Sequence, residues 1–194
     1  FYKNDSIYNK CKCYNKGLAA ATSDIVCFLD IDCLVSIDSL IKATTLSLKS
    51  NTISIGYNRT AIYLEHELKS QLYDKKGYEL FKFIESNIDL TKVYIGYKNN
   101  LYAVGNIQAV GGCLIGSKET FNKINGFNPN FIGWGYEDNE IISRAELLDI
   151  VVATVGDLSS SWFLFHLPHE EGMVGTKDKD KHERSMKLII LDDV

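Results

Sequence analysis

Apolar residues recur at two different spacings in the first fifty positions. From residue 7 to residue 22 they fall every three or four positions, which predicts an amphipathic helix with candidate N-caps at residues 4–6. The continuous apolar run Ile25–Leu29 follows, and Asp30 ends it. Such a run is typical of a strand that is buried on both faces of a parallel sheet. Ser36 then caps a second predicted helix. The inward face of that helix is expected to comprise Ile37, Leu40, Ile41, Thr44 and Leu48.

The rest of the chain continues to alternate between strand patterns and helix patterns. The predicted elements are a strand at 52–57, helices at 61–73 and 78–85, a strand at 109–115 interrupted by two glycines, a short helix from 117 that ends before Gly126, a helix at 137–148, and strands at 150–155 and 162–165. Residues 58–104 carry the weakest pattern, and we expect a variable helical region there. The helix at 137–148 is expected to turn Ile141, Ala145 and Leu148 inward. Alternating helices and buried strands define the α/β class.

Composition narrows the classes of function. With 45% hydrophobic and 11% aromatic residues among 194, the chain does not belong to the disordered class. A net charge of −4 argues against a nucleic-acid partner held by bulk electrostatics. No apolar run approaches the ~20 residues of a transmembrane segment. We therefore expect one domain over residues 1–170 and a charged tail over 171–194 that contains a candidate helix.

Cysteine usage bears on the compartment. The five cysteines are odd in number and form no C-x-x-C pair, which argues against a zinc ribbon. Cys27 lies in the apolar run and is predicted to be a small core residue. These features favour a reducing compartment. We expect a cytoplasmic protein, with a peripheral location at the membrane as the alternative.

The first candidate for chemistry is the sequence Asp30-Ile31-Asp32, directly after the first predicted strand. Ligands of open α/β sheets bind at the carboxyl ends of strands. If the extended conformation continues, both carboxylates point to the same side and repel each other unless a cation lies near them. Oxygen ligands of this kind suit Mg²⁺ or Mn²⁺. The alternative is that both are ordinary loop carboxylates next to the helix that Ser36 caps.

Two glycine-bearing segments are further candidates. Gly111 and Gly112 lie in a predicted strand, where glycine marks either a bulge or a ligand that approaches the backbone closely. Trp134 stands between two glycines, so it lies on a loop and offers a flat platform for a sugar ring. Glu137 and Asp138 follow it and open a helix, where acidic residues are also ordinary because the helix dipole stabilises them.

The last candidate is the segment FHLPHEE, which begins at residue 165. It places His166 and His169 just past a predicted strand. Pro168 forbids a regular helix, so the two histidines are not helical zinc partners. One histidine that joins a carboxylate around an octahedral ion is the functional interpretation. A hydrogen-bonded surface histidine is the alternative.

Three segments together resemble a known family. The segment NKGLAAATSDIVCFLDIDCL resembles the middle of GT-A glycosyltransferases, and GGCLIGSKETFNKINGFNPNFIGWGYEDNEIISRA resembles the C-terminal half of β-1,4-galactosyltransferases and of bacterial chondroitin-polymerase-type enzymes. The segment FLFHLPHEEG resembles the strand end that supplies the last metal ligand in that family. Tyr136 departs from the pattern, because galactosyltransferases carry glycine there. The resemblance covers residues 9–38 and 107–170.

The resemblance implies a role for each matching position. Asp32 and His166 would bind Mn²⁺ or Mg²⁺, with His169 as the alternative ligand. Asp138 would be the catalytic base, and Glu137 would hold the acceptor sugar. The implied substrate-binding positions are Asp30, Gly111, Gly112, Trp134 and Gly135. Of these, the first would contact the ribose of the nucleotide, or the ion through water.

The function implied by the resemblance is that of a metal-dependent inverting glycosyltransferase. It would move a hexose, with galactose or N-acetylgalactosamine favoured, from a UDP-sugar to a glycan acceptor. The first alternative is a non-catalytic sugar-binding remnant of such an enzyme. A second alternative, a metal-dependent hydrolase with an Asp/Asp/His site, needs a further carboxylate or histidine cluster that the sequence does not offer.

The resemblance also implies the fold. We expect a GT-A fold with a mixed central sheet flanked by helices. The family's sheet begins with two strand–helix units that bind the nucleotide, whereas this chain starts at the helix before the D-x-D strand. We therefore expect those two units to be missing. An unpaired edge on the strand Ile25–Leu29 would then favour self-association.

Overall fold

The computed structural model describes residues 9–49, 51–64, 69–72, 74–87, 103–107, 109–131, 135–157 and 162–168. The helices are α1 (Lys10–Ala20), α2 (Ile37–Ser47), α3 (Lys69–Leu72), α4 (Tyr78–Asn87), α5 (Lys118–Lys123) and α6 (Glu137–Leu147). The strands are β1 (Ile25–Leu29), β2 (Cys33–Leu34), β3 (Thr52–Ile55), β4 (Thr60–Leu64), β5 (Ala103–Ile107), β6 (Cys113–Ser117), β7 (Val151–Thr154) and β8 (Leu164–His166). This succession confirms the α/β class.

One sheet carries most of the core. Its four strands follow the order β1-β6-β3-β7. β6 runs antiparallel to both β1 and β3, whereas β3 and β7 are parallel, so the sheet is mixed as expected. Helix α2 packs on β3, β6 and β7, α5 packs on β6, and α6 packs on β7.

A second sheet links the D-x-D segment to the strand that carries His166. Its order is β2-β8-β4-β5. The two-residue strand β2 runs antiparallel to β8 and places Cys33 opposite His166. Strand β4 runs parallel to β8 and antiparallel to β5. This pairing brings the D-x-D segment next to a histidine that lies more than a hundred positions further along the chain.

An aromatic cluster holds α1 against β1. The ring centroid of Phe28 lies 5.0 Å from those of Tyr14 and Phe127, and 4.9 Å from that of Phe121. Phe121 and Phe127 are fully buried. Tilted and edge-to-face ring pairs of this kind add to the energy of apolar burial. The cluster therefore fixes the N-terminal half of α1, which carries Lys10, beside the end of β1.

Strand β1 lies where it was predicted, but the expectation that both its faces are buried was wrong. Val26 and Phe28 face the core, whereas Cys27 is exposed and Leu29 is 40% exposed. Cys27 is therefore not the core residue that was expected. Within the described residues β1 pairs with β6 alone and forms an edge of its sheet. Self-association through this edge stays a prediction.

Helix α2 begins after Ser36 as predicted, but it turns a different face to the sheet. Three of the residues expected to point inward are 60–69% exposed, namely Ile37, Ile41 and Leu48. The buried residues are instead Ser39, Ala43 and Ser47. Small side chains allow the helix to approach the strands closely, where the Ser47 hydroxyl donates to the Ile115 carbonyl at 2.8 Å. The helix therefore buries its face of small residues, which allows close contact with the sheet, and not its face of large apolar residues.

The helix predicted at 61–73 was wrong for its first half. That part of the chain forms β4, in which Ala61 lies opposite Leu164 and Ile62 lies opposite Phe165. Partners a hundred positions away leave no trace in the local periodicity. The unpredicted strand β5 also pairs with a distant segment, since Thr60 of β4 lies opposite Ile107. Helix α4 confirms the prediction at 78–85.

Other boundaries moved by a few residues. Helix α1 begins at Lys10 rather than at residue 7, because the side chain of Asn9 caps it and accepts from the backbone N–H of Lys12 at 2.8 Å. Helix α6 confirms the prediction at 137–148, although Leu148 is 51% exposed and not inward. The candidate tail helix lies outside the described residues, and the domain bounds stay predictions. Among the described residues, no helix is long and apolar enough to span a membrane.

Candidate active site

A buried lysine contacts three of the predicted site residues. Lys10 is the first residue of α1 and is 6% exposed. Its Nζ donates to Asp30 Oδ2 at 3.0 Å, to Glu137 Oε1 at 3.1 Å and to Asp138 Oδ2 at 3.3 Å. The end of β1 and the start of α6 therefore meet at one ammonium group. Sequence reasoning missed Lys10, because a lysine in an amphipathic helix is ordinarily solvated.

The local charges shift two pKa values in this cluster. Burial by itself would lower the pKa of Lys10, but the carboxylates of Asp138, Asp30 and Glu137 outweigh it and raise that pKa above its ordinary value. Burial raises the pKa of Asp138 to about 6 with the help of the Glu137 and Asp30 carboxylates, and against the lowering effect of the Lys10 ammonium. Lys10 therefore stays charged, and Asp138 becomes a carboxyl group that titrates near neutrality.

Tyr14 supplies a second donor on the same side of α1. It lies four residues after Lys10, so both side chains lie on one helix face. The Tyr14 hydroxyl donates to Asp30 Oδ1, the oxygen that Lys10 does not take. Burial raises the pKa of Tyr14, and the Asp30 carboxylate raises it further against the opposing effect of Lys10. The phenol therefore stays protonated and holds Asp30 in place.

The D-x-D segment is a turn and not the continued extended chain that was expected. The backbone N–H of Cys33 donates to the Asp30 carbonyl at 3.0 Å, and Ile31 at the turn is fully exposed. The two carboxylates consequently have different neighbours. Asp30 contacts Lys10 and Tyr14, whereas Asp32 Oδ2 lies 3.6 Å from His166 Nε2. The turn divides the motif between two clusters.

The second cluster consists of Asp32, Cys33 and His166. One ligand atom of each lies within 4.8 Å of those of the others. Cys33 Sγ lies 3.7 Å from Asp32 Oδ1. The backbone N–H of Leu167 donates to the Asp32 carbonyl at 2.7 Å, which fixes the turn against the end of β8. Cys33 is a member that sequence reasoning missed, and its place directly after the D-x-D motif was the available signal.

The space at the two glycines is filled by side chains of the protein itself. A Cβ on Gly111 would lie 2.1 Å from Asp138 Oδ2, and one on Gly112 would lie 2.7 Å from Leu164 Cδ1. Gly112 also has φ +84, which side chains rarely tolerate. Both glycines precede β6, so they do not interrupt the strand as predicted. Gly111 thereby leaves room for the carboxylate of Asp138.

The acidic pair opens α6 without a side-chain cap. Tyr136, the residue before the helix, is left-handed with φ 66. Glycine adopts this conformation at the least cost, which agrees with the glycine that stands there in the family. The backbone N–H of Gly135 donates to Glu137 Oε2 at 2.9 Å, and Glu137 is only 2% exposed. Trp134 and His169 lie outside the described residues.

The donor set fits a divalent cation. Asp32 offers carboxylate oxygens, and Nδ1 of His166 lies 3.1 Å from the Leu167 carbonyl. A carbonyl only accepts, so Nδ1 is the donor in this contact, and in a neutral imidazole the lone pair is then on Nε2, the nitrogen that faces Asp32. Oxygen and imidazole nitrogen are ligands that Mn²⁺ and related ions accept.

Comparison with known proteins agrees with this fold. Residues 91–169 match a family model described as the N-terminal domain of galactosyltransferase. The crystal structure of the catalytic domain of Drosophila β1,4-galactosyltransferase 7 with xylobiose superposes with a TM-score of 0.53 at 17% identity, over 93% of this chain and 60% of that one. A mutant of the same Drosophila enzyme, in complex with manganese, UDP-Gal and xylobiose, gives a TM-score of 0.53 at 17% identity over 92% and 60%.

The fold is thus the GT-A fold of galactosyltransferase catalytic domains, and the resemblance predicted from the sequence is confirmed. The chain spans 60% of the length of the two Drosophila structures. No curated protein sequence matches the chain.

Proposed function

We propose that the protein is a metal-dependent inverting glycosyltransferase that moves a hexose from a UDP-sugar to a glycan acceptor. Galactose and N-acetylgalactosamine are the favoured donor sugars. The galactosyltransferase family model at residues 91–169 and the fold shared with a galactosyltransferase that was crystallised with manganese, UDP-Gal and xylobiose support this class.

The observation that carries the proposal is that the proposed base and the proposed cation ligands both lie next to the D-x-D turn, the base through Lys10. Inverting transfer needs a base for the acceptor hydroxyl and a positive charge for the leaving diphosphate. Asp138 lies beside Asp30 through Lys10, which contacts both. Two residues further along the turn, Asp32 faces His166. Both requirements of the reaction therefore lie within one short turn and its neighbours.

Asp32 and His166 would hold the cation, with His169 as the alternative ligand. When bound, a divalent ion neutralises the charge of the departing diphosphate. Asp30 is held by Lys10 and Tyr14 in a fixed orientation, which suits a hydrogen-bond acceptor for the ribose hydroxyls of the nucleotide.

Asp138 would act as the base. Its pKa of about 6 leaves the group mostly ionised at neutral pH, yet basic enough to take a proton. Asp138 Oδ2 would accept the proton of the acceptor hydroxyl. At the same time the acceptor oxygen would bond to the anomeric carbon of the donor sugar, and the bond from this carbon to the diphosphate would break. Glu137, fixed by the Gly135 N–H and by Lys10, would accept from another acceptor hydroxyl.

The remaining substrate contacts follow the family pattern. Trp134 would stack on a sugar ring of the donor or the acceptor. Gly135, where a Cβ would meet nothing within 4 Å, would allow the acceptor to approach the backbone. Gly111 leaves room for Asp138, and Gly112 leaves room for Leu164 and Cys33 instead of the acceptor.

The test of the proposal is Asp138→Asn, which keeps the volume of the side chain and removes the base. Transfer from UDP-galactose or UDP-N-acetylgalactosamine is measured in the longest gene product that contains these residues, with Mn²⁺ present. We expect kcat to fall by roughly 10²–10⁴, with little change in donor binding. Asp38→Asn, on the exposed first turn of α2, is the matched control and should keep full turnover. Near-normal turnover of Asp138→Asn together with complete loss in Glu137→Gln would assign the base to Glu137 instead.

A further inference from the structure

Cys33, the residue directly after the D-x-D motif, lies among the groups that would hold the cation, although its side chain is a thiol and not a carboxylate. We propose that Cys33 Sγ is a third protein ligand, and that Asp32, Cys33 and His166 together bind a thiophilic divalent cation such as Zn²⁺, Co²⁺ or Cd²⁺. This inference rests on the proposed function, because it concerns the cation that Asp32 and His166 would bind in the proposed glycosyltransferase. Three protein ligands and one open position are the usual composition of a catalytic zinc site.

The separations of the ligand atoms support this set. With bonds of about 2.3 Å to sulfur and about 2.0–2.1 Å to nitrogen and oxygen, a tetrahedral zinc site needs ligand atoms roughly 3.3–3.6 Å apart. Cys33 Sγ lies 3.7 Å from Asp32 Oδ1, and His166 Nε2 lies 3.6 Å from Asp32 Oδ2. The sulfur and the imidazole nitrogen lie within 4.8 Å of each other. A small rotation of the carboxylate and the thiol brings all three into range.

Strand pairing explains why the thiol and the imidazole meet. Cys33 and His166 are direct partners in the antiparallel pair of β2 and β8, and directly opposed residues project to the same face. Gly112 leaves space for the sulfur, because a Cβ at that position would lie only 3.2 Å from Cys33 Sγ. The position of the thiol is therefore set by the backbone of two strands and a neighbouring glycine.

The sulfur changes which ions the site prefers. Thiolate ligands favour zinc and other soft ions, whereas sites of carboxylate and water favour magnesium and manganese. As the metal–sulfur bond forms, the Cys33 S–H loses its proton to solvent, so no oxidant or reductant is involved. The alternative is that Cys33, at 4% exposure, is a buried thiol with a packing role only.

The experiment compares metal binding in wild type, Cys33→Ser and Cys13→Ser, the last of which changes a half-buried cysteine of α1 as the control. Calorimetry gives affinities for Zn²⁺ and Mn²⁺, and absorption spectroscopy with Co²⁺ reports the intense near-ultraviolet band of a cobalt–thiolate bond. We expect Cys33→Ser to lose the band and to bind Zn²⁺ more weakly by at least the roughly 10–100-fold that loss of an outer-shell partner costs, while Mn²⁺ affinity changes little. Cys13→Ser should match wild type in all three measurements.

A second measurement needs no variant and so does not depend on how Cys33→Ser folds. The cadmium NMR shift of wild type loaded with Cd²⁺ should lie in the range of a site with one sulfur ligand. A shift typical of oxygen and nitrogen ligands alone, or an unchanged ratio of Zn²⁺ to Mn²⁺ affinity in folded Cys33→Ser, would overturn the inference. Sugar transfer with Mn²⁺ that Asp138→Asn abolishes would then leave the proposed function standing. A cobalt–thiolate band without any transfer activity would retain the metal ligand and refute the proposed function.

Discussion

The two carboxylates of the D-x-D motif are nearly equal in exposure, at 26% for Asp30 and 30% for Asp32. Their neighbours differ. Asp30 accepts from an ammonium and a phenol of the protein itself, whereas Asp32 faces a thiol and an imidazole nitrogen. Two acids of one short motif therefore have separate neighbours. The first joins the D-x-D turn to the acidic pair of α6 through Lys10, and the second lies in a cluster of side chains that could hold a metal ion.

Removal of Lys10 would remove the ammonium that Asp30 shares with Glu137 and Asp138, and it has the largest expected effect on stability. Lys10→Met leaves three carboxylates without their shared cation, and loss of one partner of a buried ion pair costs about 3–5 kcal/mol. The free energy of unfolding, measured by urea denaturation at pH 7, should fall by that amount. Lys12→Met changes an exposed lysine of the same helix and should alter stability by less than about 0.5 kcal/mol. Equal stabilities of the two variants would show that the ammonium does not organise the cluster.

A methyl group at Gly111 would displace one member of the first cluster while leaving its charges intact. Gly111→Ala places a Cβ 2.1 Å from Asp138 Oδ2 and 2.7 Å from its Cγ, so the carboxylate has to move away from Lys10. We expect a loss of about 1–3 kcal/mol of stability and a lower kcat. Gly17→Ala in α1, where the new Cβ meets nothing within 4 Å, should instead stabilise by about 0.5–1 kcal/mol. Unchanged activity in Gly111→Ala would separate Asp138 from catalysis.

The pH dependence of sugar transfer tests the raised pKa of Asp138 without any substitution and has the smallest expected effect. The base has to be ionised, so kcat/KM, which reports the pKa of the free enzyme, should fall as the pH drops through about 6, the pKa of Asp138. The stability of the fold depends on pH in the opposite direction. Because the folded state holds this proton more tightly than the unfolded chain, the contribution of Asp138 to stability decreases as the pH rises from 3.8 to about 6. An acid limb near pH 4, measured by initial rates across pH 4–8, would contradict the raised pKa.

Much of the fold was accessible from the sequence where local pattern and burial agree. β1 and α6 follow signals that a few adjacent residues carry, such as the apolar run Ile25–Leu29 and the acids that open α6. The turn at Asp30–Asp32, where an extended chain was expected, did not follow from such a signal. The predictions failed where distant contacts decide. β4 pairs with β8 a hundred residues away, and α2 buries small side chains because its contact with the sheet is close.

The candidate site shows the same division. Asp32, His166, Glu137 and Asp138 were predicted because each belongs to a motif, and the structure places the first two beside each other and the last two on Lys10. Lys10 was missed because its burial depends on three carboxylates that come from two other parts of the chain. Cys33 was missed because its partner is set by the register of β2 and β8, which the sequence pattern did not reveal.

The most direct test of the comparison is a titration of Mn²⁺ and Zn²⁺ into matched variants of the two aspartates. Asp32→Asn and Asp30→Asn make the same chemical change two residues apart. Since Asp32 is a proposed ligand of the cation and Asp30 is held by Lys10 and Tyr14, Asp32→Asn should abolish measurable binding of both ions by calorimetry, whereas Asp30→Asn should keep affinity within a few-fold of wild type. Asp38→Asn controls for loss of a surface carboxylate. Equal loss in Asp30→Asn and Asp32→Asn, or wild-type affinity in Asp32→Asn, would contradict the separation of tasks within the motif.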